Sequence, residues 1–342
     1  MDMIKKRPPI PALDGMRGMA ALFVVFCHAG YACFSPRIVG MGAFGVMLFY
    51  VLSGFLMAYH YLPVGFSLRY WAGFLVHRFI RIYPAFFVAT FGYLLLQHHL
   101  PLGFPEMEGK GWQGLIPSWL LFEDRGVFWT IPVEMKFYFV YPLVAYSAFR
   151  LLSRKFFLSI SILAIALFYV SISMGNKNLW AEKADCFLFL IAGFFSGVIF
   201  KKYDFNQIKF VNWDIVAIAS LLAFCFCIGI FHFSALPLEQ LLSFVWILAP
   251  LISIGILSIG LSKGWISWLF ANPLSRFLGQ ISYSLYLVHS FIINMVSSMF
   301  PKFLQVSLLA FFLVFGVAWL FYILIESPCT RLAKNVSGRI MS

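Results

Sequence analysis

Arg17 and His28 stand eleven residues apart in the run LDGMRGMAALFVVFCHAG. At about 100° per residue, eleven steps end roughly 20° past three full turns, so a helix carries both side chains on one face, about 16 Å apart along its axis. A neutral imidazole held among apolar neighbours can act as a general base toward a hydroxyl. The competing role is a buried histidine hydrogen-bonded to a neighbouring helix, and the same-face arginine weakens it. Glu134, in FWTIPVEMKFYFVYPLV, offers a carboxylate that could fix the tautomer of an imidazole and raise its basicity; structural pairing with Lys136 or Arg125 competes. Arg78 and Arg81 in HRFIRIYPAF share a helix face at a spacing of three. That suits a ligand with several phosphates, which guanidinium groups grip in bidentate fashion; anchoring to lipid headgroups is the alternative. Tyr83, followed by Pro84, is placed to sit at a membrane interface. Ser282, Tyr286 and His289, spaced by four and then three, form one stripe of a helix that either lines a polar cavity or joins helices.

The elements that must position these residues follow from composition. Of 342 residues, 62% are hydrophobic, 20% aromatic and 11% charged, with mean hydropathy +0.90. A soluble domain is roughly half apolar and about a quarter charged. Soluble enzyme, secreted disulfide scaffold and disordered chain are therefore excluded, leaving an integral membrane protein. The formal charge of +12 suggests nucleic acid only where basic helices or aromatic-interleaved basic patches accompany it, and none does. No Walker loop, HExxH, GxSxG or CxxC pair occurs, so ATPase, metalloprotease and serine-hydrolase chemistry lack support. The six cysteines read as small buried hydrophobes, with no disulfide framework or metal site.

A spanning helix needs roughly 20 mostly apolar residues. Ten candidates are predicted: 12–33, 43–61, 78–98, 129–149, 156–174, 185–200, 213–231, 240–260, 278–299 and 304–325, with 112–122 a re-entrant or interfacial piece. The expected fold is thus an all-α polytopic membrane protein of one domain over 1–342, with short cytoplasmic tails at 1–11 and 327–342. Placing the N-terminus inside puts 17 of the 25 lysines and arginines in inner segments and 6 in outer ones, so both termini are expected to be cytoplasmic. Asp14 and Arg17 interrupt the first apolar run, which reads as a retained helix and not a signal peptide. On this topology His28 and Glu134 lie at similar depth in the outer half, and Arg78 and Arg81 at the inner start of a helix.

Taken in order, these residues resemble the acyltransferase-3 family of bacterial membrane acyltransferases. The likeness runs over nearly the whole chain: the Arg17–His28 spacing, FGVMLFYVLSGFLM within 43–57, Arg78-x-x-Arg81-Ile-Tyr-Pro, Trp129-Thr-Ile-Pro-Val-Glu134 leading into Phe137-Tyr138, and LGQISYSLYLVH. The resemblance implies transfer of an acyl group from cytoplasmic acyl-CoA, usually acetyl-CoA, to a sugar hydroxyl of a cell-surface polysaccharide or lipid-linked glycan such as O-antigen or exopolysaccharide. It implies an enzyme of the bacterial inner membrane with no metal and no nucleic-acid partner. Carried over by position, His28, Glu134 and Arg17 take the catalytic places. By the same correspondence Arg78 and Arg81 hold the donor; Arg17 and Tyr83 are expected beside them, and Asp14, Trp129, Ser282, Tyr286 and His289 are expected to face the acceptor. His28 either deprotonates the acceptor or briefly carries the acyl group.

Two features depart from the family pattern. Many members read Val-Glu-Glu-Gln-Phe-Tyr where this chain has Val133-Glu134-Met135-Lys136-Phe137-Tyr138, leaving Glu134 as the sole orienting carboxylate there. Some relatives also carry a C-terminal SGNH-type extracellular domain. This chain is expected to work without one, passing the acyl group on directly or through a separate periplasmic protein. The rival functional reading is a transporter or flippase, in which the same intramembrane charges line a solute or proton path.

Overall fold

A computed structural model describes residues 8–31, 36–61, 67–99, 116–117, 119–121, 126–151, 179–208, 210–234, 245–299 and 304–341. The architecture among these residues is all-α, as the composition requires. Backbone groups facing lipid must be satisfied inside their own segment, and a helix does that for every peptide unit. The helices are α1 (Pro11–Tyr31), α2 (Pro36–Tyr61), α3 (Leu68–His99), α4 (Thr130–Leu151), α5 (Leu179–Lys202), α6 (Trp213–Ser234), α7 (Val245–Leu261), α8 (Trp265–Ala271), α9 (Pro273–Met299), α10 (Leu304–Phe321) and α11 (Ser327–Met341). Five stretches are long and apolar enough to cross a membrane: 11–30, 41–61, 68–96, 213–230 and 308–341. The bent pair α7–α8 makes a sixth. The expected spans at 129–149, 185–200 and 278–299 are helical too, as α4, α5 and α9, although α9 carries six Ser and two Tyr. The predicted span 156–174 and Cys33 lie outside the described residues. Large apolar side chains on α6 and α10, among them Phe226 and Phe312, are more than two-thirds exposed, as a lipid-facing surface requires.

Several boundaries differ from the expectation: α2 begins at Pro36 and not at 43, and α9 at Pro273 and not at 278. α3 begins ten residues earlier than the predicted 78 and runs through Pro84, so Arg78 and Arg81 sit in its third and fourth turns. α5 is longer at both ends than 185–200. The segment 327–342, expected as a tail, is mostly the helix α11, and it is strongly amphipathic. Only hydropathy was available to set these limits, and it sees the apolar window of a helix, not its polar turns.

The chain divides into two compact units, and the division falls within α1, α2, α4 and α9. In the first unit, the part of α2 from residue 44 onward and α5 are joined by glycines. A Cβ at Gly54 would collide with the Leu190 carbonyl oxygen, one at Gly193 with the Val51 carbonyl, and one at Gly197 would come within 2.5 Å of the Phe55 carbonyl. The backbones of α2 and α5 thus touch directly, the packing that small residues permit where lipid supplies no hydrophobic drive. Tyr141 of α4 adds a hydroxyl donated to the Met57 carbonyl at 2.8 Å. The 93° corner between α7 and α8 is held by Asp214 at the start of α6. Its Oδ1 accepts from Ser262 Oγ at 2.8 Å and from the Ile266 N–H at 3.0 Å. Gly264 leaves the carboxylate room.

In the second unit, α11 packs along α3, with Gly73 against Met341 and the Ser337 carbonyl. Between α10 and α11 lies one π-helical segment, Tyr322–Glu326. Glu326, at its end, is buried. Its Oε2 accepts from Ser284 Oγ at 2.5 Å and from the Ser284 N–H at 3.2 Å, tying this segment to α9. Tyr283, the preceding residue, donates to the Ile82 carbonyl of α3 at 2.9 Å.

Two expected outcomes follow from this packing. Gly54→Ala or Gly193→Ala will lower the thermal stability of the detergent-purified protein by several degrees, while Gly316→Ala, where a methyl meets nothing within 4 Å, will leave it unchanged. An unchanged melting curve for both interface variants would refute the glycine contact. Glu326→Leu, which strands the buried Ser284 hydroxyl, will cost about 1–3 kcal/mol. Glu326→Gln keeps an acceptor and will cost less, and equal losses in the two variants would show that the hydrogen bonds are not what matters.

Candidate active site

The candidate residues of the second unit are linked by contacts that run from α1 to α9, from α9 to α4 and from α4 to α3. His28 lies three residues from the C-terminal end of α1. Its Nδ1 is 2.9 Å from the carbonyl oxygen of Val24, one turn back. A carbonyl can only accept, so Nδ1 carries the proton and Nε2 keeps a lone pair. A Cβ at Gly42 of α2 would sit 3.4 Å from His28 Cε1, an ordinary contact distance, so α2 passes beside the ring.

The ring of His28 meets that of His289, with centroids 4.9 Å apart and planes at 72°. His289 comes from the middle of α9 and is wholly buried. Its Nδ1 is 2.7 Å from the Tyr286 carbonyl oxygen, which fixes the same tautomer. Its Nε2 has no hydrogen-bond partner among the described residues.

From His289 the contacts continue along α9 to α4. Tyr286, one turn earlier, donates its hydroxyl to the Val127 carbonyl and accepts from Thr130 Oγ1 at 2.7 Å. Val127 belongs to the 3₁₀ turn Gly126–Trp129 that precedes α4, and Trp129 closes that turn half-buried. One turn beyond Thr130 stands Glu134. Its Oε1 accepts a short hydrogen bond from Tyr138, and Tyr283 lies within its electrostatic reach.

Arg78 then joins from α3. It is 8% exposed, and its guanidinium lies 5.2 Å from the centre of the Tyr138 ring and 5.8 Å from that of Phe74. A cavity of about 210 Å³ opens here, lined by Arg78, Tyr138, Met135 and Phe139 with Leu75 and Phe79. Arg81, one turn on, and Lys334 of α11 both act electrostatically on His77, so the positive charge is shared by two helices. Tyr83 faces elsewhere: its hydroxyl donates to the Trp119 carbonyl at 2.7 Å and its ring stacks on Phe79. Trp119 in turn donates to Thr90 at 2.8 Å, so this residue of the piece predicted at 112–122 is pinned to α3.

Of the predicted residues, the structure thus brings together His28, His289 and Tyr286, and carries Glu134 on the helix that receives Tyr286. Ser282 does not join them: fully buried, it bonds back to the Gly279 carbonyl of its own helix at 2.8 Å. Asp14 and Arg17 lie half-buried on the part of α1 that belongs to the first unit. Two residues are not singled out by the sequence. Tyr138 bridges Glu134 and Arg78, and its position one helical turn after Glu134 is the available signal. Lys334 is hidden because an amphipathic α11 has the composition of a polar tail. Among the described residues no three His, Cys, Asp or Glu side chains converge as a metal-binding group. Of the five described cysteines, Cys27 and Cys186 are buried and Cys225 is exposed, all without disulfides.

Comparison with known proteins completes the picture. The chain is 29% identical over 154 residues to the acyltransferase MdmB of Streptomyces mycarofaciens, covering 39% of this chain and 38% of that protein. It is 23% identical over 358 aligned positions to a protein of Staphylococcus aureus (strain COL) named "Putative O-acetyltransferase", covering 95% of this chain and 58% of that one. It is 40% identical over 78 residues to "Protein 2 in picA locus" of Rhizobium radiobacter, 22% of this chain. The chain therefore spans between about two-fifths and three-fifths of the length of these curated relatives. No solved structure matches it significantly. The profile of the family described as an acyltransferase domain matches residues 10–325, which contain every residue of the cluster but Lys334, and the chain, a multi-pass membrane protein, belongs to this acyltransferase-3 family.

Proposed function

We propose that the protein transfers an acetyl group from cytoplasmic acetyl-CoA to a sugar hydroxyl of a cell-surface polysaccharide or lipid-linked glycan, as an enzyme of a bacterial inner membrane with both termini in the cytoplasm. The observation that carries this reading is the bridge from Arg78 through Tyr138 to Glu134. It connects a buried guanidinium, suited to a phosphate, with a carboxylate on the helix that also supports the imidazole cluster.

Arg78, Arg81 and Lys334 would take the phosphates of the donor. Arginine does so with two parallel N–H donors, and the mixed aromatic and aliphatic wall of the cavity suits the pantetheine chain. The thioester carbonyl then comes to His28. Nε2 of His28 takes the proton of the acceptor hydroxyl as its oxygen attacks the carbonyl carbon, and the same proton leaves on the CoA sulfur when the C–S bond breaks. Glu134 supplies the negative charge that favours the transient imidazolium. Arg17 is kept as a donor contact on the strength of the resemblance and its spacing from His28. Trp129, Tyr286 and Asp14 are the acceptor-side groups. Tyr83, with its hydroxyl occupied by Trp119, contributes to the donor region through its ring on Phe79.

The test is thiol release from acetyl-CoA by the purified protein in nanodiscs, together with mass spectrometry of surface glycans from cells with and without the gene. His28→Ala will lower kcat by at least about 100-fold, in the range typical of a lost general base, and will abolish the acetyl mass gain. Arg78→Ala will act mainly on KM for acetyl-CoA, raising it about tenfold. A His28→Ala protein that keeps its activity would overturn the assignment. Solute movement without any acetyl-CoA consumption would put a transporter in its place.

A further inference from the structure

We propose that Tyr138 is a positioning residue with two separable roles: its ring sets Arg78 for the donor, and its hydroxyl sets Glu134 for proton transfer. This rests on the proposed roles of Arg78 as a phosphate contact and of Glu134 as the carboxylate that favours the imidazolium. Tyr138 is 2% exposed. A buried phenol needs a partner for its O–H, and Tyr138 donates to Oε1 of Glu134, one turn back on α4. A hydrogen bond to a carboxylate is roughly twice as strong as one between neutral groups. It therefore holds in one place a side chain that would otherwise turn among several rotamers.

The ring of the same side chain meets α3. It stands edge-on to Phe74, with centroids 6.3 Å apart and planes at 86°. The two rings make a corner, and the Arg78 guanidinium occupies it, 5.2 Å from the centre of Tyr138 and 5.8 Å from that of Phe74. Phe74 lies one turn before Arg78 on α3, so of these two contacts only the one to Tyr138 crosses between helices. A ring face attracts a guanidinium through its quadrupole, and that attraction does not consume the N–H donors with which arginine grips a phosphate. Tyr138 and Arg78 also line the same cavity of about 210 Å³, so the ring is a wall of the space in which the donor would lie. One side chain thus ties the cation of the donor site to the carboxylate of the reaction. The two ends can be removed separately, since phenylalanine keeps the ring without the hydroxyl and leucine has neither.

The experiment compares Tyr138→Phe, Tyr138→Leu, Glu134→Ala and the double variant Glu134→Ala/Tyr138→Phe in full-length protein in nanodiscs, with His28→Ala and Arg78→Ala as references. Thiol release from acetyl-CoA gives kcat and KM, and equilibrium binding of CoA gives an affinity independent of the chemistry. Tyr138→Phe is expected to lower kcat about tenfold, less than loss of the base itself, with KM and CoA affinity within about twofold of the parent. Tyr138→Leu is expected to lower kcat as much and to weaken CoA binding roughly fivefold or more, the size of one lost cation–π contact. The double variant is expected to match Glu134→Ala within about twofold, because the hydroxyl acts only through that carboxylate. A merely structural tyrosine would produce neither the split between Phe and Leu nor the absence of additivity. If Tyr138→Leu does not purify as a monodisperse protein, Tyr138→Met, which fills more of the space without a ring, takes its place. A Tyr138→Phe protein with parental kcat, equal CoA affinity in the Phe and Leu variants, or additive losses in the double variant overturns the two roles. An inactive His28→Ala and a weakly binding Arg78→Ala then leave the base and the donor site standing. An active His28→Ala, or an Arg78→Ala with parental CoA affinity, removes the reading on which both roles rest.

Discussion

Both imidazoles of the site spend their Nδ1 proton on a carbonyl of their own helix, and the rest of the arrangement depends on it. Inside a membrane protein a side chain finds few external partners, so a histidine turns to the backbone one turn away. That local bond settles which nitrogen remains available and where it points. The neighbouring helices only have to bring the two rings to contact distance, and the Tyr286 hydroxyl network on α9 and α4 holds the second of them. Chemistry is thus specified by secondary structure first and tertiary packing second.

The same priority explains what the sequence made legible. His28, Arg78, Arg81 and Glu134 stand out because an ionisable group in an apolar run is costly and rare. Helical spacing then predicts the shared stripe of Tyr286 and His289. Periodicity says which residues share a face, but not whether a hydroxyl on that face bonds outward. Ser282 has the right register and turns back to its own helix, as serine in a helix readily does. Nor does hydropathy carry pairwise information. It ranked Glu134 and His28 as equals in depth but could not foresee Tyr138 as the partner of the carboxylate, because a tyrosine in an apolar run is not anomalous. α11 was lost for a related reason: an amphipathic helix has low mean hydropathy and reads as a polar tail.

Glycine contacts and carboxylate corners divide the stabilising work in a way that suits the solvent. Along α2 and α5, where the surroundings are apolar, backbone approaches backbone and gains dispersion and close fit. At the α7–α8 corner, where peptide groups leave regular pairing, Asp214 supplies the acceptor that two donors need. The corner uses both devices, since Gly264 leaves the room that the Asp214 carboxylate fills.

The π-helical turn at Tyr322–Glu326 has an effect beyond burying Glu326. An α-helix advances about 100° per residue, and a stretch closed by wider turns carries one more residue than its length in α-turns would allow. The face that follows is therefore out of phase with the face that precedes it. α10 can keep its apolar side toward lipid while α11, on nearly the same rod, turns a different side to α3. A single extra residue works as an angular offset between two helices that would otherwise be forced to share one orientation.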